Sequence, residues 1–106
     1  MTDTIANVRK LDKTAEVFLD DKVIARNFVD EEGRRCSLGY VLPGDFEVTV
    51  EASETVEVLG GKFRLRLPGD EEYSVFSRGD IFYIPEGASY SLTVEDYFDY
   101  CVIFGL

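Results

Sequence analysis

The stretch from Gly79 to Val94, GDIFYIPEGASYSLTV, constrains the fold of this chain more than any other. An apolar run, Ile81 to Ile84, breaks at Pro85-Glu86-Gly87. It resumes as an alternating segment in which Tyr90, Leu92 and Val94 share a face. A strand, a tight Pro/Gly turn and a second strand predict a β-hairpin-like unit.

The same pattern recurs along the chain. Ala15 to Leu19 and Val23 to Val29 read as short strands separated by Asp20-Asp21-Lys22, and Asp30-Glu31-Glu32-Gly33 reads as an acidic turn. Cys36 to Leu42 is an apolar run closed by Pro43-Gly44-Asp45, and Phe46 to Val50 alternates strictly. Val56 to Leu59 leads to Gly60-Gly61, where the chain is expected to turn. Lys62 to Leu67 is basic on one face and apolar on the other, so Arg64 and Arg66 are expected on a solvated face. Asp99 to Phe104 is the last strand. Roughly eight to ten short strands at intervals of about 8–12 residues suit a sandwich or barrel. No segment sustains the helical period, so the fold is expected to be all-β. Residues 1–14, polar with Ile5, Val8 and Leu11 about three apart, are expected to form a mobile arm ahead of a single domain over 15–106.

Charge and length exclude several functions. The net charge is −10, from 21 acidic against 11 basic residues, which disfavours nucleic-acid phosphates and anionic membrane surfaces as partners. An anionic substrate would have to be held locally, by backbone N–H groups or an arginine or two. The chain has 106 residues, enough for one core. A domain this small leaves much surface exposed, so a homodimer is expected. Cys36 and Cys101 lack metal or redox spacing. The first residues lack an apolar signal segment, and no run approaches the ~20 apolar residues of a membrane span. The expected location is the cytoplasm.

The spacing G-x5-P-x-G-x2-Tyr90-x3-Val94 resembles the second signature of the cupin superfamily, whose metal-binding members carry a histidine where Tyr90 stands. The tail of the first signature is similar to Glu54, six residues, Gly61. Counting back from Glu54, its histidine positions fall on Val48 and Val50 by the shorter spacing, or on Glu47 and Thr49 by the longer. The chain contains no histidine, so no metal is expected. An oxygen set of Glu47, Thr49 and Glu54 would suit only a hard cation.

A narrower resemblance covers Ala15 to the C-terminus. It rests on Asp21-Lys22-Val23, Leu38 to Glu47 (LGYVLPGDFE), Glu54 to Gly61 (ETVEVLGG), Leu67-Pro68-Gly69, Gly79 to Pro85, Ser89 to Leu92 and Asp99-Tyr100-Cys101. In order and spacing these resemble the pyrimidine/purine nucleoside phosphorylases, small single-domain cupins. The resemblance implies a jelly-roll type β-barrel of two antiparallel sheets that associates as a homodimer. It also implies phosphorolysis of purine and pyrimidine nucleosides to free base and α-D-pentose-1-phosphate, with inorganic phosphate as co-substrate and no metal or other cofactor. Glu54, Tyr90 and Glu47 are the candidate catalytic residues. Tyr40 and Phe82 are candidate platforms for the base, Thr49 a further substrate contact and Arg26 a candidate phosphate ligand. Glu57 is expected on the face opposite Glu54, serving the dimer. The alternative is a metal-free cupin without catalysis, acting as a small-molecule-binding or assembly module.

Overall fold

The computed structural model describes residues 3–106, and every regular element among them is a β-strand. In chain order these are β1 (Val8–Leu11), β2 (Glu16–Phe18), β3 (Val23–Asp30), β4 (Arg35–Val41) and β5 (Gly44–Thr49). They continue with β6 (Glu54–Arg66), β7 (Ser74–Val75), β8 (Ile81–Ile84) and β9 (Ser89–Phe104). All neighbours pair antiparallel in the order β1-β3-β4-β9-β6-β7, with β2 on β3, β5 on β9 and β8 on β6.

Two long strands make this a barrel. The C-terminal half of β9 lies between β4 and the first half of β6, and its N-terminal half lies between β5 and the second half of β6. Each long strand therefore belongs to two sheets that fold over one another. The bend falls where the β6–β9 register shifts, between Val58 and Gly60 and again between Gly61 and Phe63. Such irregularities add local twist and let a strand change direction. Gly60-Gly61 is thus a bulge inside β6 and not the turn the dipeptide suggests. A Cβ on Gly61, whose φ is 110°, would sit 2.0 Å from the Tyr97 carbonyl oxygen, so only glycine permits this approach.

The Pro85-Gly87 break also differs from expectation. β8 pairs with β6 and not with β9, so the segment is a crossing between the two sheets and no hairpin. The turn closes through Ala88 N donating to Pro85 O at 3.1 Å. It is tied to the end of β5 by Gly87 N to Val50 O at 2.9 Å and Val50 N to Ala88 O at 3.0 Å. The expected mobile arm contains β1, which pairs with the far edge of β3. Met1 and Thr2, also part of that arm, lie outside the described residues.

Alternation then sorts the residues of the core strands. In β3, β4 and β6 the residues Val23, Ala25, Val41, Val56, Val58 and Leu65 point between the sheets and are buried. They meet Ile84 from β8 and Leu92, Val94, Phe98 and Val102 from β9. The outward face of the β5–β9–β6 sheet is polar: Thr93 donates to Asp45, Ser91 to Glu47, and Arg66 to Ser91. Arg64 and Arg66 both lie over the Tyr73 ring on this face. At the β3–β4 turn, Asp30 Oδ1 accepts from the backbone N–H groups of Glu32 (3.0 Å) and Arg34 (2.8 Å), while its Oδ2 accepts from Arg34 Nε at 2.7 Å. This holds the start of β4 in place.

Candidate active site

The inward faces do not fill the barrel. A chamber of about 160 Å3 remains between the sheets, and Glu54, Tyr90, Tyr100 and Phe82 line it. Glu16, Phe18, Asn27, Val48, Glu54 and Phe104 also line a wider mouth of about 610 Å3, so the chamber opens outward through it.

Register explains which side chains arrive there. Glu54 begins β6 opposite Phe104 of β9 and Ile84 of β8. Tyr90 is paired with Val48 across β5–β9, and Tyr100 with Gly39 across β4–β9. Gly39 makes room for Tyr100, whose ring lies where a Cβ on residue 39 would be. The third wall carries a polar chain: Ser37 Oγ donates to Asn27 Oδ1, and Asn27 Nδ2 donates to Glu16 Oε1 at 2.8 Å. Hydrogen bonding fixes the amide orientation of Asn27 and leaves Glu16 at the rim, with its other carboxylate oxygen free for solvent or a ligand.

Burial sets the electrostatics. It raises the Glu54 carboxyl above its ordinary value, because the apolar walls disfavour the charged form. The Tyr90 phenol is raised well above its ordinary range by burial first, then by the facing charge of Glu54 and by Tyr100. Tyr100 is pushed up to about 12 by burial and then by Glu54. Both phenols therefore stay neutral hydrogen-bond donors at physiological pH. Glu54 and the two tyrosines make no side-chain hydrogen bond to any described residue, so their polar atoms are available to a ligand. One carboxylate that takes a proton readily, two fixed phenolic donors and an aromatic wall can bind a polyhydroxylated ring and move a proton on it.

Of the expected site residues, Glu54, Tyr90 and Phe82 come together here. Thr49 lines the mouth, its hydroxyl bonded to Ser89 at the edge of the outer face. Three others do not reach the site. Glu47 lies on the outer face, accepting from Ser91. The parity of β5 turns Val48 and Val50 inward instead, so the shorter spacing in the sequence is the correct one. The oxygen set of Glu47, Thr49 and Glu54 is likewise divided between two faces. Tyr40 faces outward and stacks on Tyr97, with ring centroids 5.3 Å apart. Arg26 is outward too, and its Nε donates to Lys13 O at 3.2 Å. Tyr100, Gly39, Asn27, Ser37 and Glu16 are site residues that the sequence pattern did not single out. Two signals pointed to them: a glycine inside the Arg35–Val41 strand, and polar residues at positions 27 and 37, where alternation demands apolar ones.

A family model described as pyrimidine/purine nucleoside phosphorylase matches residues 13–104. The chain belongs to this family. Relatives named pyrimidine/purine nucleoside phosphorylase in Syntrophotalea carbinolica and Clostridioides difficile are each 35% identical to it over 89 residues. These alignments cover 84% of this chain, and 86% and 85% of the relatives. Among solved structures, a protein of unknown function from Acidithiobacillus ferrooxidans is similar at 28% identity, with a TM-score of 0.78 and 90% of each chain covered. An ethanolamine utilization protein from Salmonella typhimurium, at 15% identity and a TM-score of 0.67 over 94% of this chain and 98% of its own, shares the fold alone. That fold is the cupin barrel.

Many cupins hold a first-row metal, and this member of the pyrimidine/purine nucleoside phosphorylase family lacks the donors for one. The inward positions are Val48, Val50 and Tyr90, around the carboxylate of Glu54, with the Glu16 carboxylate out at the rim and bonded to Asn27. First-row divalent ions need imidazole, thiolate or several carboxylates at once. No group of three such residues forms among the described residues.

Proposed function

We propose that this protein catalyses the phosphorolysis of purine and pyrimidine nucleosides in the barrel chamber, giving free base and α-D-pentose-1-phosphate without a metal. The observation that carries this reading is a carboxylate flanked by two neutral phenols in a chamber that opens to a wide mouth, in a chain of this family.

The reaction breaks the C1′–N bond as a phosphate oxygen bonds to C1′. The sugar passes through a state with oxocarbenium character, and the base leaves with the bonding electrons. The proton that hydrogen phosphate gives up on becoming an ester ends on the base nitrogen, so atoms and charges balance. Glu54 faces the sugar, where its carboxylate stabilises the developing positive charge. Its raised pKa also suits it to relay the proton. Tyr90 and Tyr100 orient the pentose hydroxyls by donating hydrogen bonds, and Phe82 supplies apolar contact. The 160 Å3 chamber takes the pentose, and the wide mouth takes the base. The mouth is wide enough for a one-ring or a two-ring base, which accounts for acceptance of purines and pyrimidines alike.

On this reading the enzyme works in the cytoplasm as a homodimer. A second copy would cover the outward row of Leu38, Cys101, Glu57 and Ile81, in which Leu38 is 39% and Ile81 66% exposed. Sedimentation at micromolar concentration tests the dimer.

The deciding experiment incubates the full chain with inosine or uridine, with and without phosphate, and follows free base and pentose-1-phosphate. Base release that requires phosphate is the expected result. No base in either tube at high protein concentration would leave a non-catalytic binding module. Base release without phosphate dependence would make the protein a hydrolase.

A further inference from the structure

We propose that Arg35, assisted by Lys10, is the seat of the phosphate co-substrate on one wall of the mouth. This rests on the phosphorolysis reading for its role and on the following geometry for its place.

Lys10 is the register partner of Val29, and Val29 is the partner of Arg35. The three residues thus form one row across β1, β3 and β4, and all three line the mouth. Directly paired residues in a sheet share a face, so both cations project to the same side as Asn27 and Glu54. Arg35 follows the Asp30-anchored turn, which fixes where β4 begins.

Four of the other arginines are already engaged: Arg26 with Lys13 O, Arg34 with Asp30, Arg66 with Ser91 and Glu47, Arg78 with Asp3 and Leu59 O. The side chains of Arg9 and Arg64 have no acceptor among the described residues, but neither lines the mouth. Arg35 donates to no described residue. Its guanidinium carbon lies 5.8 Å from the Phe104 ring centroid, so the aromatic ring supports the side chain while the N–H donors stay free. Phe104 is in turn the register partner of Glu54. Around the rim the order is Lys10, Val29, Arg35, Phe104, Glu54. The proposed anion seat therefore lies one aromatic ring away from the carboxylate assigned to the sugar.

Charge explains why one arginine matters so much here. The mouth also carries Asp12, Glu16, Glu51 and Glu54, in a chain of net charge −10. Lys10 is partly neutralised by Asp12 at 3.9 Å. A phosphate dianion entering this field is repelled unless a planar fork of donors takes two of its oxygens at once, which a guanidinium does and an ammonium does not. Lys10 then contributes a weaker, screened attraction. On this account β1 has a role in the site, because it brings the second cation to the rim.

The test uses the full chain and measures base release against phosphate concentration for Arg35→Ala, Arg35→Lys, Lys10→Ala and the outer-face control Arg26→Ala. Thermal melts confirm that each variant is folded. Arg35→Ala should raise the KM for phosphate roughly ten- to hundredfold and leave the KM for nucleoside within about twofold. Arg35→Lys should recover only part, Lys10→Ala should cost about threefold, and Arg26→Ala should change nothing. A folded Arg35→Ala with unchanged phosphate KM overturns the proposal. Titration with inorganic phosphate followed by 31P NMR separates this failure from failure of the enzyme reading. If neither wild type nor any variant turns over, but wild type binds phosphate and Arg35→Ala does not, the seat stands and phosphorolysis falls. If wild type binds no phosphate, the seat falls.

Discussion

Alanine at position 39 should destabilise the protein, and the sign should reverse once Tyr100 is removed. Gly39 and Tyr100 are paired across β4 and β9, and the tyrosine ring folds over the glycine. An added Cβ would lie 2.2 Å from Tyr100 Cζ, 2.3 Å from its hydroxyl oxygen and 2.5 Å from Cε2. Ordinary carbon contacts are about 3.5–4.0 Å, so the ring must swing away by an ångström or more. Overpacking of this kind costs about 1–3 kcal/mol. Against this, Gly39 has no left-handed φ, so alanine fits the backbone and gains about 0.4–1 kcal/mol by restricting the unfolded chain. The net loss should be on the order of 1–2 kcal/mol, which for a domain of this size lowers Tm by roughly 4–15 °C. In a Tyr100→Ala background the colliding atoms are gone. There, Gly39→Ala should be neutral or stabilising by about 0.4–1 kcal/mol. Urea unfolding of wild type, both single variants and the double variant completes the cycle, with a coupling of about 2 kcal/mol expected. An equal cost of Gly39→Ala in both backgrounds would refute the packing argument. In the single variant the displaced ring also intrudes on the chamber, so the KM for nucleoside should rise.

Glu54→Gln tests the buried carboxyl. Its pKa is raised from an ordinary 4.5, so the folded state binds that proton more tightly than the unfolded state. Stability is therefore lost as pH climbs from the unfolded value through the folded one. Glutamine escapes this loss, so its Tm advantage over wild type should grow as pH rises above the ordinary value of 4.5, while kcat falls by about a hundredfold or more. A Tm difference that is flat with pH would contradict the desolvation argument. Tyr90→Phe should keep the fold and lose roughly ten- to hundredfold in kcat/KM, because only a hydroxyl aimed at the ligand is removed; unchanged kinetics would make Tyr90 a core aromatic. The β2–β3 turn holds Leu19, Asp20 and Asp21 at φ of 52°, 58° and 61°. Asp20→Val should cost on the order of 1–2 kcal/mol in a urea melt and Asp20→Asn under about 0.5, since a β-branched side chain is far more strained in this region than Asn or Asp; equal costs would remove backbone strain as the reason.

The chain's own pattern announced the strands because side chains in a strand alternate with a period of two, and that signal survives without any partner. Turn residues bounded most of them for the same local reason. Tyr90 was legible as an inward residue because its strand alternates with Leu92 and Val94, and Glu54 because its spacing to Gly61 matches a known signature. Phe82, inside the unbroken apolar run Ile81 to Ile84, was legible only as a candidate platform. Parity was not legible in β5, where Glu47 and Thr49 compete with Val48 and Val50. A shift of one residue exchanges the faces of a strand, and only pairing with β9 decides which set is inside. Nor could the sequence show that Gly60-Gly61 is a bulge. A glycine pair looks the same whether it reverses the chain or lets another backbone pass close by, here Tyr97. The third wall and the rim were hidden for a related reason. Lys10, Glu16, Asn27, Ser37, Arg35 and Tyr100 come from five strands, and each is an ordinary polar residue by itself. They become a site only when register aligns them around one opening. Local chemistry, a strand here and a turn there, is written residue by residue. The site is a property of which strands lie side by side, settled by the packing of the whole barrel.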